Sequence, residues 1–463
     1  MPFAWSRCTA PSTTRTCEAG GRDLWAARVN RLELLWGEAF FAGSIAQVMA
    51  RLSGLPAVVL LLGVGLLIGR AGLDLVQPEA LGRGLEPVVG LLVSLVLFDG
   101  GLNLRLAGRD YQRTVIQLVL VRGVLGLLGG ALLAHTLAGL SWPLAWVFGA
   151  IALATGPTVV TPMVQQMRLL PGLGRVLEAE GLILEPTGAV LALLLLQLAL
   201  GDLDSWGDVA VLLLVRLGGG VLIGALGGWL LVEVLRRLPG SGESGDALRL
   251  QLTLGCLFLL VSGAQALLPE AGLPAAVAAG VVVGLRLDEQ ASQLDELIAQ
   301  LAQLAITVLF PLLAADLSWG ELSPLGWGGV LCVLALMPIR WLVVQLSGLG
   351  LTSLGWREKL LVGWIAPRGI VTAAVASLFA LELDQAGVPG GGALKGLVFL
   401  TILLSVSLQG FTAPPLAQWL GLVADADAAA PASEAALDAG GGLAAGLEQQ
   451  PGGEQVGALQ AAE

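Results

Sequence analysis

Long apolar runs separated by short polar links occupy most of this chain. Cutting at the links gives thirteen runs: Leu32–Ala50, Leu55–Leu73, Pro87–Leu104, Val115–Leu137, Pro143–Met167, Val176–Leu200, Trp206–Leu235, Leu248–Leu268, Pro274–Leu287, Leu297–Leu317, Leu325–Leu346, Leu360–Leu383 and Leu394–Leu420. A helix needs about 20 apolar residues to cross a bilayer, and nearly all the runs approach that length. The ninth is short. Trp142, Trp206, Trp319 and Trp356 stand at the ends of runs, where interfacial aromatics belong. The pattern predicts an all-α polytopic membrane protein of about thirteen transmembrane helices.

Two of the runs are interrupted. The fifth contains Ala154-Thr155-Gly156-Pro157-Thr158-Val159-Val160-Thr161-Pro162, and the twelfth contains Ile365-Ala366-Pro367-Arg368-Gly369-Ile370-Val371-Thr372. Proline removes a backbone donor and crowds the preceding turn, so a helix loosens at Pro157 and Pro367. In lipid such a break survives only where protein or a water-lined cavity satisfies the freed groups. A pair of broken helices in corresponding halves points to a transporter binding site. The second lies seven runs after the first, with six between, so they run antiparallel, as inverted repeats require.

Charge sets the orientation. With the start of the first span outside, the inner loops carry Arg51, Arg105, Arg109, Arg113, Arg168, Arg175, Arg236, Arg237, Arg249, Arg286, Arg357 and Lys359. The outer loops carry Arg70, Arg83 and Lys395. Twelve against three is a strong positive-inside bias, and one span more or fewer would scramble it. The C-terminus is then cytoplasmic. The basic stretch holding Arg7, Arg15, Arg22, Arg28 and Arg31 opposes this order.

Composition agrees: 56% of residues are apolar and 13% charged, against about 25% charged in a soluble domain. The net charge of −11 belongs largely to the end of the chain, where seven acids after Ala424 leave −4 for the rest. Residues 424–463 are Ala/Gly/Glu/Gln-rich and read as a disordered acidic tail. Residues 1–31 read as a polar N-terminal extension with no secretory-signal pattern, and residues 32–423 as the transmembrane domain. Cys8 and Cys17 lie in the extension; Cys256 and Cys332 lie in spans and read as small core residues. No cysteine spacing suggests a metal or a redox centre. Phosphate-binding, hydrolase and zinc-protease motifs are absent, so the chain does not read as an enzyme. Nothing in it suggests a nucleic-acid partner.

Ionisable groups inside spans are costly, and each is a functional hypothesis. Glu185 lies deep in the sixth run, followed by Pro186, which leaves the carbonyl of Leu182 without its helical donor. A desolvated carboxylate holds its proton more tightly, and a hard alkali cation seeks several oxygens. One carboxylate can therefore hold either a proton or a cation. The alternative is a protonated glutamate hydrogen-bonded to a neighbouring helix; the depth of Glu185 favours the ion site. Glu180 lies nearer the cytoplasmic end, and Arg368 is its expected partner, a structural pair fixing span twelve against span six. Thr155, Thr158, Thr161 and Thr372 set hydroxyls beside the breaks; Thr155 and Thr158 are candidate ligands, although threonine often bonds back to its own helix. Asp99 and Asn103 read as a helix-end polar cluster, and His135, the only histidine, as a residue near the outer surface.

Five segments together resemble the monovalent cation/proton antiporter superfamily, in its sodium/proton exchanger (NhaP/NHE-like) branch. They are Leu97-Phe98-Asp99-Gly100-Gly101-Leu102-Asn103-Leu104, Ala154 to Thr158, Glu180 to Glu185, Gly363 to Gly369, and Leu408-Gln409-Gly410-Phe411-Thr412-Ala413-Pro414-Pro415-Leu416. The resemblance runs from about residue 32 to 420. It implies thirteen helices, a mobile core of about residues 115–200 and 325–420, a dimerisation scaffold from the rest, and elevator-like alternation. It places Glu185 where the family has its ion-binding aspartate, and matches Glu180 and Arg368 to the family's glutamate–arginine pair. A homodimer in membrane lipid and a part in pH homeostasis are implied as well.

Three departures matter. Exchangers commonly carry Asn-Asp where this chain has Leu184-Glu185. An aspartate often follows the threonine of the broken helix, where this chain has Gly156. Glutamate also reaches further than aspartate. Glu185 is then the single titrating ligand, which favours electroneutral exchange of H⁺ for Na⁺, or K⁺, with no cofactor. Two other readings stand beside this: another inverted-repeat transporter using Arg368 to hold an anionic substrate, and a non-transporting membrane sensor.

Overall fold

The computed structural model describes residues 16–78, 85–104, 109–238, 243–287, 292–347 and 354–423. Among them the structure is helical, apart from an isolated bridge between Leu169 and Val423. The elements are α1 (Thr16–Ser53), α2 (Ala57–Ile68), α3 (Leu85–Leu102), α4 (Arg109–Thr136), α5 (Trp142–Ile151), α6 (Pro157–Met167), α7 (Pro171–Leu200), α8 (Trp206–Arg237), α9 (Glu243–Leu267), α10 (Gly272–Arg286), α11 (Ser292–Ala315), α12 (Trp319–Leu322), α13 (Gly326–Ser347), α14 (Trp356–Trp364), α15 (Ile370–Gln385) and α16 (Gly391–Leu420).

Each of the thirteen runs falls on one helix or on one broken helix. The fifth divides into α5 and α6, the twelfth into α14 and α15. The short ninth run is α10. The four tryptophans open α5, α8, α12 and α14. Two differences appear. The first helix begins at Thr16, so it continues back through polar residues that the sequence reading set apart from the span. The one-turn helix α12 was not expected. It forms because Ser318-Trp319-Gly320-Glu321 lets the Glu321 carboxylate reach back and accept from Ser318 N (2.9 Å), a capping arrangement. Residues 1–15 and the acidic segment 424–463 lie outside the described residues.

Small residues bring the helices together, as expected where no hydrophobic drive exists between spans in lipid. On α8, Gly220, Gly224 and Gly228 form one buried stripe against Pro274, Ala275 and Ala279 of α10. On α2, Gly65 meets Pro311 and Ala314 of α11. The packing joins α3, α8, α9 and α10; α1, α2 and α11; and α4, α5 and α7 with α13 to α16. Outward-facing leucines such as Leu214 and Leu222 of α8, and Trp327 of α13, present apolar surface. Inside, α7 lies against α4, α5, α6 and α15 and brings Glu180 and Glu185 to the centre.

Candidate functional site

Between α5 and α6 the chain is unwound over residues 152–156, and between α14 and α15 over residues 365–369. The two stretches touch. Gly156 N donates to Pro367 O at 3.2 Å. A Cβ on Gly156 would collide with the Cα of Gly369, and a Cβ on Gly369 would stand 2.5 Å from Gly156 Cα. The two broken helices therefore cross glycine on glycine, with Pro157 starting α6 and Pro367 just before Arg368. The lack of side chains at Gly156 and Gly369 is what permits so close an approach.

The freed backbone groups are met by side chains, as a low-dielectric surrounding demands. Gln409 of α16 accepts from Ala366 N (3.0 Å), and Ser405 of the same helix faces Arg368 N at 3.4 Å. Arg340 of α13 donates to Val362 O (3.1 Å) at the C-terminal end of α14. Arg368 donates to Ala154 O (3.2 Å), just past the end of α5. Guanidinium groups thus sit where helix C-termini expose carbonyls and carry partial negative charge.

Glu185 occupies the crossing. It is fully buried, and neither carboxylate oxygen has a hydrogen-bond partner of good geometry. The point where a Gly369 Cβ would stand lies 2.5 Å from its Oε1. The backbone of Val371, in the first turn of α15, faces it, so the carboxylate looks toward a helix N-terminus. Thr155 and Thr158 are buried, and their hydroxyl oxygens also lack partners. Thr158 Oγ1 lies 3.1 Å from the position of a Gly156 Cβ. Thr155 O lies 3.2 Å from the position of a Gly181 Cβ, one turn before Glu185 on α7. A carboxylate, the Thr158 hydroxyl and a loosened backbone thus meet around the glycine crossing, and Thr155 stands in the same break. Buried polar atoms rarely go without partners, so such a set marks a candidate binding site. The donor set is all oxygen, which suits a proton or a hard cation.

The remaining candidates separate. Thr372 bonds back to Gly369 O (2.5 Å), and Thr161 is half-buried on α6. Asn103 donates to Asp99 O (3.1 Å) and to Asp295 Oδ1 (3.2 Å), a polar cluster closing the end of α3. His135 stacks on Trp142 with ring centroids 4.1 Å apart and meets Leu140 O at 2.8 Å, which ties α4 to α5. Cys332 is buried as expected of a core residue, and Cys256 is half-buried.

The expected ion pair between Glu180 and Arg368 is corrected by the geometry. Glu180 is paired with Arg122 of α4 (Oε1, 3.0 Å) and with Arg340, which meets Oε1 and donates to Oε2 at 2.7 Å. Arg368 spends its Nη1 on Ala154 O instead, within the field of the same three charges. Arg122 and Arg340 reach Glu180 from the helices α4 and α13, which pack on each other, whereas Arg368 stands in the break and is taken up by Ala154 O. Sequence reasoning overlooked Arg122 and Arg340. Their signal was present, since each is an arginine inside an apolar run. Gln409 and Ser405 were likewise missed as acceptors for the second break.

A polytopic helical chain with two antiparallel broken helices crossing beside a buried carboxylate has the architecture of an inverted-repeat secondary transporter. The sequence model described as "Sodium/hydrogen exchanger, transmembrane" matches residues 39–419, and the chain belongs to this family. It is 26% identical to Na(+)/H(+) antiporter 1 of Methanocaldococcus jannaschii over 84% of this chain and 94% of that protein. It is 24% identical to K(+)/H(+) antiporter NhaP2 of Shewanella sp. MR-4 over 79% of this chain and 62% of the relative. Among solved structures, the sodium proton antiporter MjNhaP1 of M. jannaschii at pH 8 superposes with a TM-score of 0.74 at 25% identity. That superposition covers 84% of this chain and 99% of the other.

Proposed function

We propose that this protein exchanges a monovalent cation for H⁺ across a membrane by alternating access, one for one, with Glu185 as the group that holds either. The observation that carries this reading is the buried Glu185 carboxylate at the glycine crossing, with the Thr158 hydroxyl near Gly156 and Thr155 in the same break. A carboxylate shared between two ligands that exclude each other couples their movements without further machinery. With Gly156 offering no carboxylate at the crossing, Glu185 is the titrating ligand there, and the net charge carried per cycle is zero. Na⁺ is the expected cation and K⁺ the second; the relatives are named for one or the other.

Glu180, held by Arg122 and Arg340, is a structural group that fixes α7 against α4 and α13. The moving body is read as about residues 115–200 and 325–420, turning against the rest. The loop charges orient the C-terminus to the cytoplasm. The family resemblance supports a homodimer and a part in pH homeostasis. No cofactor is called for. Arg368 is engaged with backbone, which weighs against its use as an anchor for an anionic substrate.

The test is cation-driven proton flux in proteoliposomes, read with an internal pH dye after adding Na⁺ or K⁺. Glu185→Gln keeps the size of the side chain and removes the exchangeable charge. Its flux should fall to the protein-free background while the purified protein remains monodisperse. Native flux from Glu185→Gln would remove the residue from the mechanism.

A further inference from the structure

One seam of the molecule is closed twice, and only the inner closure is apolar. Between α2 and α11 on one side and α15 and α16 on the other, Leu62, Phe310, Leu313, Ala373, Phe399 and Ile402 enclose a void of about 10 Å³ that reaches Gly369. That is at best room for one water, so no hydrated cation passes from Glu185 along this seam. At its far end stands Lys395, in the first turns of α16. The sequence reading counted it among exposed loop charges, but it is buried. Its Nζ lies 2.9 Å from Asp316 Oδ2, 3.0 Å from Glu321 Oε1 and 3.1 Å from Asp316 O. Ser377 of α15 donates to the same Asp316 Oδ2 at 2.8 Å.

Asp316 directly follows α11, and α11 packs on α1, α2 and α3. Arg70 N, just after α2, donates to Ala315 O (3.1 Å), and Trp319 Nε1 donates to Ala71 O (2.6 Å). Glu321, on α12, is packed on α16 together with Lys395, whereas Asp316 is fastened to the α1–α2–α11 group. Lys395 and Ser377 belong to the two helices that carry and support the second break. Their bonds to Asp316 span the seam that must part if Glu185 is to face this side.

We propose that Lys395 is a positioning residue for exchange: its ion pair with Asp316 bolts this seam shut and must break each time the site opens toward the Lys395 end, while Glu321 holds the lysine in place on its own side. A buried ion pair is a modest source of net stability but a strong restraint on geometry, because separating it leaves uncompensated charge. The apolar residues beneath it can slide; the cluster cannot part without leaving the Asp316 carboxylate without its lysine. The bolt thus sets how often the seam opens. This inference rests on the alternating-access reading.

The experiment reads opening directly and needs no ion gradient, so it can succeed or fail independently of the flux assay. In a chain with Cys8, Cys17 and Cys256 changed to Ser, Ala373→Cys places a thiol in the seam, and native Cys332, buried in α13, serves as a control. Maleimide labelling in detergent is followed by peptide mass. Lys395→Met should label the Ala373→Cys site at least tenfold faster, with the Cys332 rate unchanged. Lys395→Arg, and the reciprocal exchange Asp316→Lys with Lys395→Asp, should restore slow labelling. If Lys395→Met does not fold, Asp316→Asn is read in the same way. Labelling at the native rate in the folded neutral variant would overturn the proposal. So would acceleration of both thiols together, which would mark a general loosening.

Discussion

At the scale of single residues, two glutamates five positions apart on α7 meet opposite surroundings. Glu180 is enclosed by charge and Glu185 by unpartnered oxygen and apolar side chains. The arginines around Glu180 should therefore differ in their worth. Arg340 makes contacts to both carboxylate oxygens and to Val362 O, Arg122 makes one ion pair, and Arg368 makes one bond to a carbonyl while opposing two like charges. Removing one partner of a buried pair costs about 3–5 kcal/mol. Thermal unfolding of purified variants should rank Arg340→Ala as most destabilised, Arg122→Ala next and Arg368→Ala least. A midpoint for Arg368→Ala below that of Arg340→Ala would contradict the assignment of partners. Sequence alone made Glu185 legible, since an acid deep in an apolar run is rare for a strong energetic reason. It did not reveal the partners of Glu180. Pairing depends on which faces of α4, α7 and α13 meet, and that is fixed by packing between residues 58 and 160 positions apart in the chain.

At the scale of elements, the breaks were legible to within a residue or two because Gly and Pro act locally on the backbone. Helix spans were legible for a similar reason, since bilayer thickness sets their length. What the pattern could not give is that the two breaks meet through glycines, or that Gln409 and Ser405 of α16 serve the second one. The crossing makes a sharp prediction. Gly369→Ala puts a methyl against both Gly156 Cα and Glu185 Oε1. It should lower cation-driven proton flux by at least tenfold, and Gly156→Ala should do the same by forcing the two stretches apart. Gly37→Ala on α1, where a Cβ meets nothing within 4 Å, is the matched control and should leave flux unchanged. Unaltered flux in Gly369→Ala would show that the stretches do not need this approach. The same locality explains α12, whose Ser-x-x-Glu start is a recognisable cap that a search for long apolar runs passes over.

At the scale of the whole molecule, the described helices hold one carboxylate at the crossing of two broken helices, beneath a seam closed by apolar residues and an ion-paired lysine. In the exchange proposed for Glu185, proton and cation compete for a single site. The direct test is the half-saturation concentration for Na⁺ or K⁺, measured in proteoliposomes at a series of pH values. Where the proton-bound form dominates, each unit fall in pH should raise that concentration about tenfold, a limiting slope of one in the logarithm, while the maximal rate at saturating cation stays constant. A half-saturation concentration independent of pH, with only the maximal rate changing, would contradict the account.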